Sequence, residues 1–262
     1  MGTQTVEPSL PAPAGTSSAT AVWVAEGGRR ALLTTVLPLL ALSALAWLVT
    51  ARTAAMTMPG AAAFTGSWLV MMAAMMLPAV SPVVALYALA ARRRVVAAVP
   101  VFVAGYACVW AVSAVPAYLV SRTVAEPLMD GRVWVARLTG ATLIAAGLYQ
   151  LTPLKATCLR RCRTPMSFFL TRRTSLSRPT RAFAAGAEHG LYCLGCCWAL
   201  MAILIVLGGM QLGWALALAL VLSAEKLLPH GPELVKVTAL AAAALGGTLL
   251  LAPSLLVHLI TM

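Results

Sequence analysis

The sequence predicts an all-α fold, a polytopic transmembrane bundle of about seven helices with its N-terminus on the inner side. Three observations predict it. Of 262 residues, 61% are hydrophobic and 10% charged, whereas soluble domains run about 45–50% apolar and about 25% charged. The apolar residues gather in seven long runs parted by short polar or basic breaks, and about 20 residues suffice for one helical crossing of a bilayer. The nineteen Lys and Arg residues also alternate between the two ends of those runs, fifteen on one side and four on the other. Such a bias marks the inner side. Little length remains for anything but connections, so the predicted organisation is a disordered tail over 1–28 and a single transmembrane helical domain over 29–262.

In chain order, residues 1–28 are rich in Pro, Ala, Ser, Thr and Gly and show no apolar period, the composition of a disordered tail. Arg29 and Arg30 introduce the first run, about 31–50. It is longer than the 7–15-residue core of a signal peptide and is read as a span. Further spans are expected at about 64–90, 95–120, 133–152, 183–207, 212–228 and 235–260, of which 212–228 is the shortest. The inner side then receives Arg29, Arg30, Arg92, Arg93 and Arg94. It also receives Lys155, Arg160, Arg161, Arg163, Arg172, Arg173, Arg178, Arg181, Lys226 and Lys236. Arg52, Arg122, Arg132 and Arg137 stay outside. Trp47, Trp68, Trp134 and Trp214 fall near outer ends, where amphipathic rings settle. The net charge of +12 is thereby a topology signal. The basic segment 153–181 has no interleaved aromatics apart from Phe168 and Phe169, which argues against nucleic acid and for weak attraction to anionic lipid. Six cysteines in 262 residues are too few for a disulfide scaffold.

The chemistry concentrates in the run from Glu188 to Trp198 of the fifth span. On a helix His189, Cys193, Cys196 and Cys197 stand at i, i+4, i+7 and i+8 and share a face. An imidazole and thiolates suit a soft or borderline ion, copper(I) or zinc. One straight helix cannot wrap an ion, so a neighbour must contribute; Gly190 and Gly195 permit close approach. Buried cysteine is otherwise a small hydrophobe, the expected state of Cys108. Three cysteines in five residues beside the intramembrane Glu188–His189 pair point instead to ligands, because ionisable groups at that depth are costly.

A second cluster, Met72, Met75 and Met76, shares a face of the second span, one turn before Pro78. Pro78 should free the Ala74 carbonyl and kink the helix. Thioethers select copper(I), although a methionine stripe alone is ordinary packing. Counting about 1.5 Å per residue, both clusters lie near the bilayer midplane. A third feature, Cys158 and Cys162, follows the fourth span on the inner side; a Cys-x3-Cys pair can meet across one helical turn, and its adjacent arginines favour thiolate, while the bland reading is a basic loop with reduced cysteines. Glu225 and Lys226 read as an ion pair anchoring the interface. Met56 and Met58 could form an outer uptake point, and neither His230 nor His258 has an evident partner.

Taken together, Trp68-x3-Met72-x2-Met75-Met76-Leu77-Pro78-x3-Pro82, the run Tyr149-Gln150-Leu151-Thr152-Pro153-Leu154-Lys155-x2-Cys158-x3-Cys162-Arg163-x-Pro165, the run Gly186-x3-Gly190-x-Tyr192-Cys193-Leu194-Gly195-Cys196-Cys197-Trp198-Ala199-Leu200-Met201 and the closing Glu225-Lys226 resemble a bacterial family. It is the group of predicted metal-binding integral membrane proteins, a domain of unknown function. The resemblance spans about 64–228 and implies a multi-pass protein of the bacterial inner membrane with metal ligands.

The function expected is therefore a membrane carrier or donor of a soft metal ion. Copper(I) is favoured, with zinc or another thiophilic ion as the alternative. The expected ligands are His189, Cys193, Cys196, Cys197, Met72, Met75, Met76, Cys158 and Cys162, supported by Glu188, Pro78 and Glu225. Expected partners are the lipid bilayer and a metal chaperone or metalloprotein, and no nucleic acid. No phosphate-binding loop is present, and no catalytic residues are assigned. Two rival readings remain open: a membrane thiol–disulfide oxidoreductase, and a non-catalytic anchor or metal sensor of a metalloenzyme complex.

Overall fold

The computed structural model describes residues 29, 32–53, 60–91, 95–130, 132–163, 178–207 and 211–254. The predicted tail, Met56 and Met58, Arg92 to Arg94 and His258 lie outside the described residues. A π-helical turn, Leu32–Val36, leads into α1 (Leu37–Thr53). Then come α2 (Ala61–Ala91), α3 (Val95–Met129), α4 (Val133–Gln150), α5 (Pro153–Arg163), α6 (Pro179–Val206), α7 (Leu212–Leu227) and α8 (Gly231–Leu251). The fold is all-α among the described residues.

Each of the seven predicted spans contains a helix, though two of them are short. Among the described residues, five helices are long and apolar enough to cross a membrane: α1 with its π-turn, α2, α3, α6 and α8. The 18 residues of α4 and the 16 of α7 fall outside that set. At about 1.5 Å per residue, α7 is shorter than a hydrocarbon core about 30 Å thick. The exterior is apolar, with Leu42, Leu45 and Leu48 of α1 and Val237, Leu240 and Leu251 of α8 exposed. That surface fits a bilayer rather than water.

The two most extensive helix pairs are α3 with α6 and α4 with α8. Both depend on glycine. A Cβ at Gly186 would meet the Phe102 backbone carbonyl, and one at Gly105 would meet that of Phe183. These positions let the α3 and α6 backbones touch, in the manner of small-residue contacts between membrane helices. Phe102 lies by Gly186 and Val109 by Gly190, so the two helices run parallel. Gly140 lies by Gly246 and Gly147 by Ala239, so α4 and α8 run antiparallel.

Pro78 and Pro82 lie inside α2, which continues through both. The Ala74 carbonyl freed by Pro78 accepts a hydrogen bond from the Ser43 hydroxyl of α1 at 2.8 Å. The Pro78 carbonyl freed by Pro82 accepts one from Ser81, also at 2.8 Å. Both orphaned acceptors are thus satisfied within the apolar bundle, where an unpaired carbonyl costs several kcal/mol. Trp68 departs from its expected place in an interfacial belt. It is buried, and its indole N–H donates to Ser113 of α3 at 3.2 Å.

Residues 153–163 form a helix, which agrees with the helical-turn reading of Cys158 and Cys162 and not with the basic loop. Pro153 starts α5, and Lys155, Cys158, Leu159 and Cys162 form its buried face. This i, i+3, i+4, i+7 stripe packs against α6 and, more lightly, against α7.

Candidate metal centre

The helical register places His189, Cys193, Cys196 and Cys197 on one face of α6, and all four are buried. What surrounds them comes from five other helices. Cys193 is the hub. Its Sγ lies 3.1 Å from the Tyr106 hydroxyl of α3 and 3.1 Å from the Lys226 ammonium of α7. The same ammonium lies 3.4 Å from the Met76 thioether sulfur of α2. A buried cation therefore rests between two sulfurs, one from the methionine stripe and one from the cysteine face. Met72 and Met75 are buried in the same core.

On its other side the cysteine face meets α5. Cys196 Sγ lies 3.9 Å from Cys162 Sγ. Cys158 packs its sulfur against Gly195, where a Cβ would stand only 2.8 Å away. Gly195 thus lets α5 lie close against α6. Tyr149 of α4 donates its hydroxyl proton to the Gly195 carbonyl at 2.5 Å. The Cys196 and Cys197 thiols donate to the Cys193 carbonyl at 3.1 and 2.9 Å, which occupies the protonated form of each. The cysteines predicted as a separate inner pair and those predicted near the midplane are one cluster.

The sequence-derived ion pair between Glu225 and Lys226 is not formed. Neighbours on a helix point about 100° apart, and these two diverge. Glu225 binds the Lys155 ammonium of α5 at 2.7 Å, with both side chains 1% exposed, and accepts from the Gln150 amide at 2.9 Å. Lys226 turns to the sulfurs. Arg163, at the end of α5, donates to the Glu225 and Leu228 carbonyls at 2.6 Å each. These contacts clamp α5 against α7 and hold its cysteines on α6.

The arginines of α5 do not favour thiolate as expected. Arg163 is occupied by carbonyls, and Arg161 lies 5.5 Å over the Tyr192 ring. Burial pushes the Cys158 thiol up, Cys196 adds to the shift, and Lys155 opposes it. Cys162 is raised further, chiefly by its hydrogen bonds to Cys193 and Cys196 and then by burial. Metal capture by either thiol therefore includes loss of a proton.

His189 lies between aromatic rings, 6.3 Å from Phe102 and 6.1 Å from Tyr106 by centroid. Glu188 is half-buried, off the cysteine face. Cys108 is exposed on an apolar groove of 770 Å³ lined by Trp68, Ser113, Leu194 and Trp198. Among the described residues no three His, Cys, Asp or Glu side chains form a closed group ready for an ion. The sulfurs instead form a chain of contacts, from Met76 through Lys226 to Cys193, Cys196 and Cys162.

The sequence does not place Lys226, Tyr106 and Lys155 at the site, because their partners Cys193, Met76 and Glu225 lie on other helices. Lys155 and Lys226 stand in the runs that carry the family resemblance, and Tyr106 lies inside an apolar run, where a polar group marks a functional position by default.

Residues 65–249, more than two thirds of the chain, match the family PpoB2, described as a copper chaperone. Searches of curated proteins and of solved structures gave no match.

Proposed function

The chain belongs to this copper chaperone family, and from that premise we propose that its buried sulfurs hold copper(I) inside the bilayer and pass it on by ligand exchange. Met76, Cys193 and Cys197 form the receiving site, with His189 alongside, and Met72 and Met75 lead to it. Cys196 and Cys162 are the next station, followed by Cys158. Glu188, Pro78 and Glu225 shape these positions without binding the ion. The observation that carries the reading is Lys226, whose ammonium already rests between the Met76 and Cys193 sulfurs. A monovalent soft cation entering there meets a thioether and a thiolate, the donors that select copper(I) over hard ions.

Spacing supports the second station. Two sulfurs each about 2.3 Å from one ion and 3.9 Å from each other subtend an angle of about 116°, close to tetrahedral. Handover needs no long jump, because Cys196 belongs to the same helical face as Cys193. Zinc is the alternative cargo, satisfied by thiolate and imidazole without thioether. The recipient is a metalloprotein or a soluble metal chaperone.

The protein resides in the bacterial inner membrane in this reading, with its N-terminus inside and with α4 and α7 also crossing. Parallel α3 and α6 and antiparallel α4 and α8 are the relative directions of an alternating seven-span chain. The fifteen-to-four distribution of basic residues supports this orientation.

The test is the triple replacement of Met72, Met75 and Met76 by leucine. Leucine keeps the packing volume nearly unchanged, so the fold should persist. Copper(I) affinity, measured by competition with a chromophoric chelator, should fall at least tenfold while zinc affinity holds. Unchanged copper(I) affinity in the folded variant would return the stripe to core packing.

A further inference from the structure

We propose that Cys162 and Cys196 are a redox pair that reduces copper(II) to the copper(I) the site carries. This inference rests on the copper reading above and adds an activity to it. The two sulfurs lie 3.9 Å apart and belong to different helices, α5 and α6. Both are buried and neither is in a disulfide. A disulfide needs them at about 2.05 Å, so the two sulfurs must approach by about 1.9 Å from their 3.9 Å separation.

The surrounding structure holds the pair in register. Lys155 and Arg163 bind α5 to α7 at both ends of its buried stripe. Gly195 seats Cys158 one turn earlier on α5. Five buried cysteines and Met76 also exceed the four positions of a tetrahedral ion, so two thiols can serve as reductant while the Cys193 arm keeps its donors.

The step balances. Cys162 and Cys196 each lose a proton and one electron, and an Sγ–Sγ bond forms between them. Two copper(II) ions take one electron each and become copper(I), and two protons leave to solvent. The pair is restored when two molecules of a low-molecular-weight thiol are oxidised to their own disulfide, returning two electrons and two protons by thiol–disulfide exchange.

The experiment uses the full-length, fully reduced protein in detergent, without oxygen. Copper(II) is added as its glycine complex, copper(I) is read by a bathocuproine chromophore, and thiols are counted before and after. Two copper(I) ions should appear per chain as two thiols disappear, and peptide mass spectrometry should find Cys162 joined to Cys196. Cys162→Ser and Cys196→Ser should each remove this phase, whereas Cys108→Ser should keep it. Undiminished copper(I) production in Cys162→Ser, or a cross-link between other cysteines, would overturn the proposal. Copper(I) supplied directly separates this inference from the one beneath it. Tight copper(I) binding without copper(II) reduction sinks only the redox activity. Reduction at the pair without copper(I) retention sinks only the carrier.

Discussion

Glu225→Ala should destabilise the bundle by about 3–5 kcal/mol, the cost of stranding one member of a buried ion pair. Lys155 and Glu225 are each 1% exposed and 2.7 Å apart, so water cannot replace the missing carboxylate. Gln150 loses its acceptor as well. Because this pair holds α5 against α7, the damage should centre on α5. The apparent Tm in detergent should drop sharply, and maleimide should label Cys158 and Cys162 faster than in the parent protein. The double variant Lys155→Met/Glu225→Leu should recover much of the stability, since apolar side chains of similar volume replace buried pairs well. A Glu225→Ala protein with parental Tm and parental labelling would show that α5 docks by its apolar face alone.

Cys193→Ser should weaken copper(I) binding about 100-fold or more, exceeding the 10–100-fold typical of changes outside the ligand shell. Cys193 is the sulfur on which Tyr106, Lys226 and, through Lys226, Met76 converge. Serine keeps a hydroxyl for Tyr106 and Lys226 but offers no soft donor. The fold should survive, with helicity and Tm near the parental values, so that the lost affinity is assigned to the ligand. Cys108→Ser, altered on the exposed apolar groove, should bind copper(I) as the parent does. Equal affinities in Cys193→Ser and Cys108→Ser would remove the hub from the site.

The helices were legible because apolar run length and a 3.6-residue period are local properties. The same period correctly placed His189, Cys193, Cys196 and Cys197 on one buried face. The freed Ala74 carbonyl was legible too, since proline's effect on residue i−4 is covalent geometry. Its acceptance of a hydrogen bond from Ser43, 31 positions away, was not. Partner choice between distant helices leaves little local trace. Lys226 meets Cys193 across 33 positions and Met76 across 150, so adjacency to Glu225 in sequence does not name its partner. In α5 the arginines suggested a solvated loop. The stripe Lys155, Cys158, Leu159, Cys162 carries the helical signal, but the lysine in it reads as solvated unless its buried carboxylate partner on α7 is counted.

If copper(I) rests on sulfur contributed by both α2 and α6, X-ray absorption at the copper edge will show it. The full-length protein would be loaded with copper(I) under reducing conditions and freed of weakly held ion. One copper per chain with a sulfur-dominated first shell is expected, losing scatterers in Cys193→Ser and again in the Met72, Met75 and Met76 triple variant. A shell of nitrogen and oxygen only, or no copper retained by the folded, reduced protein, would contradict it.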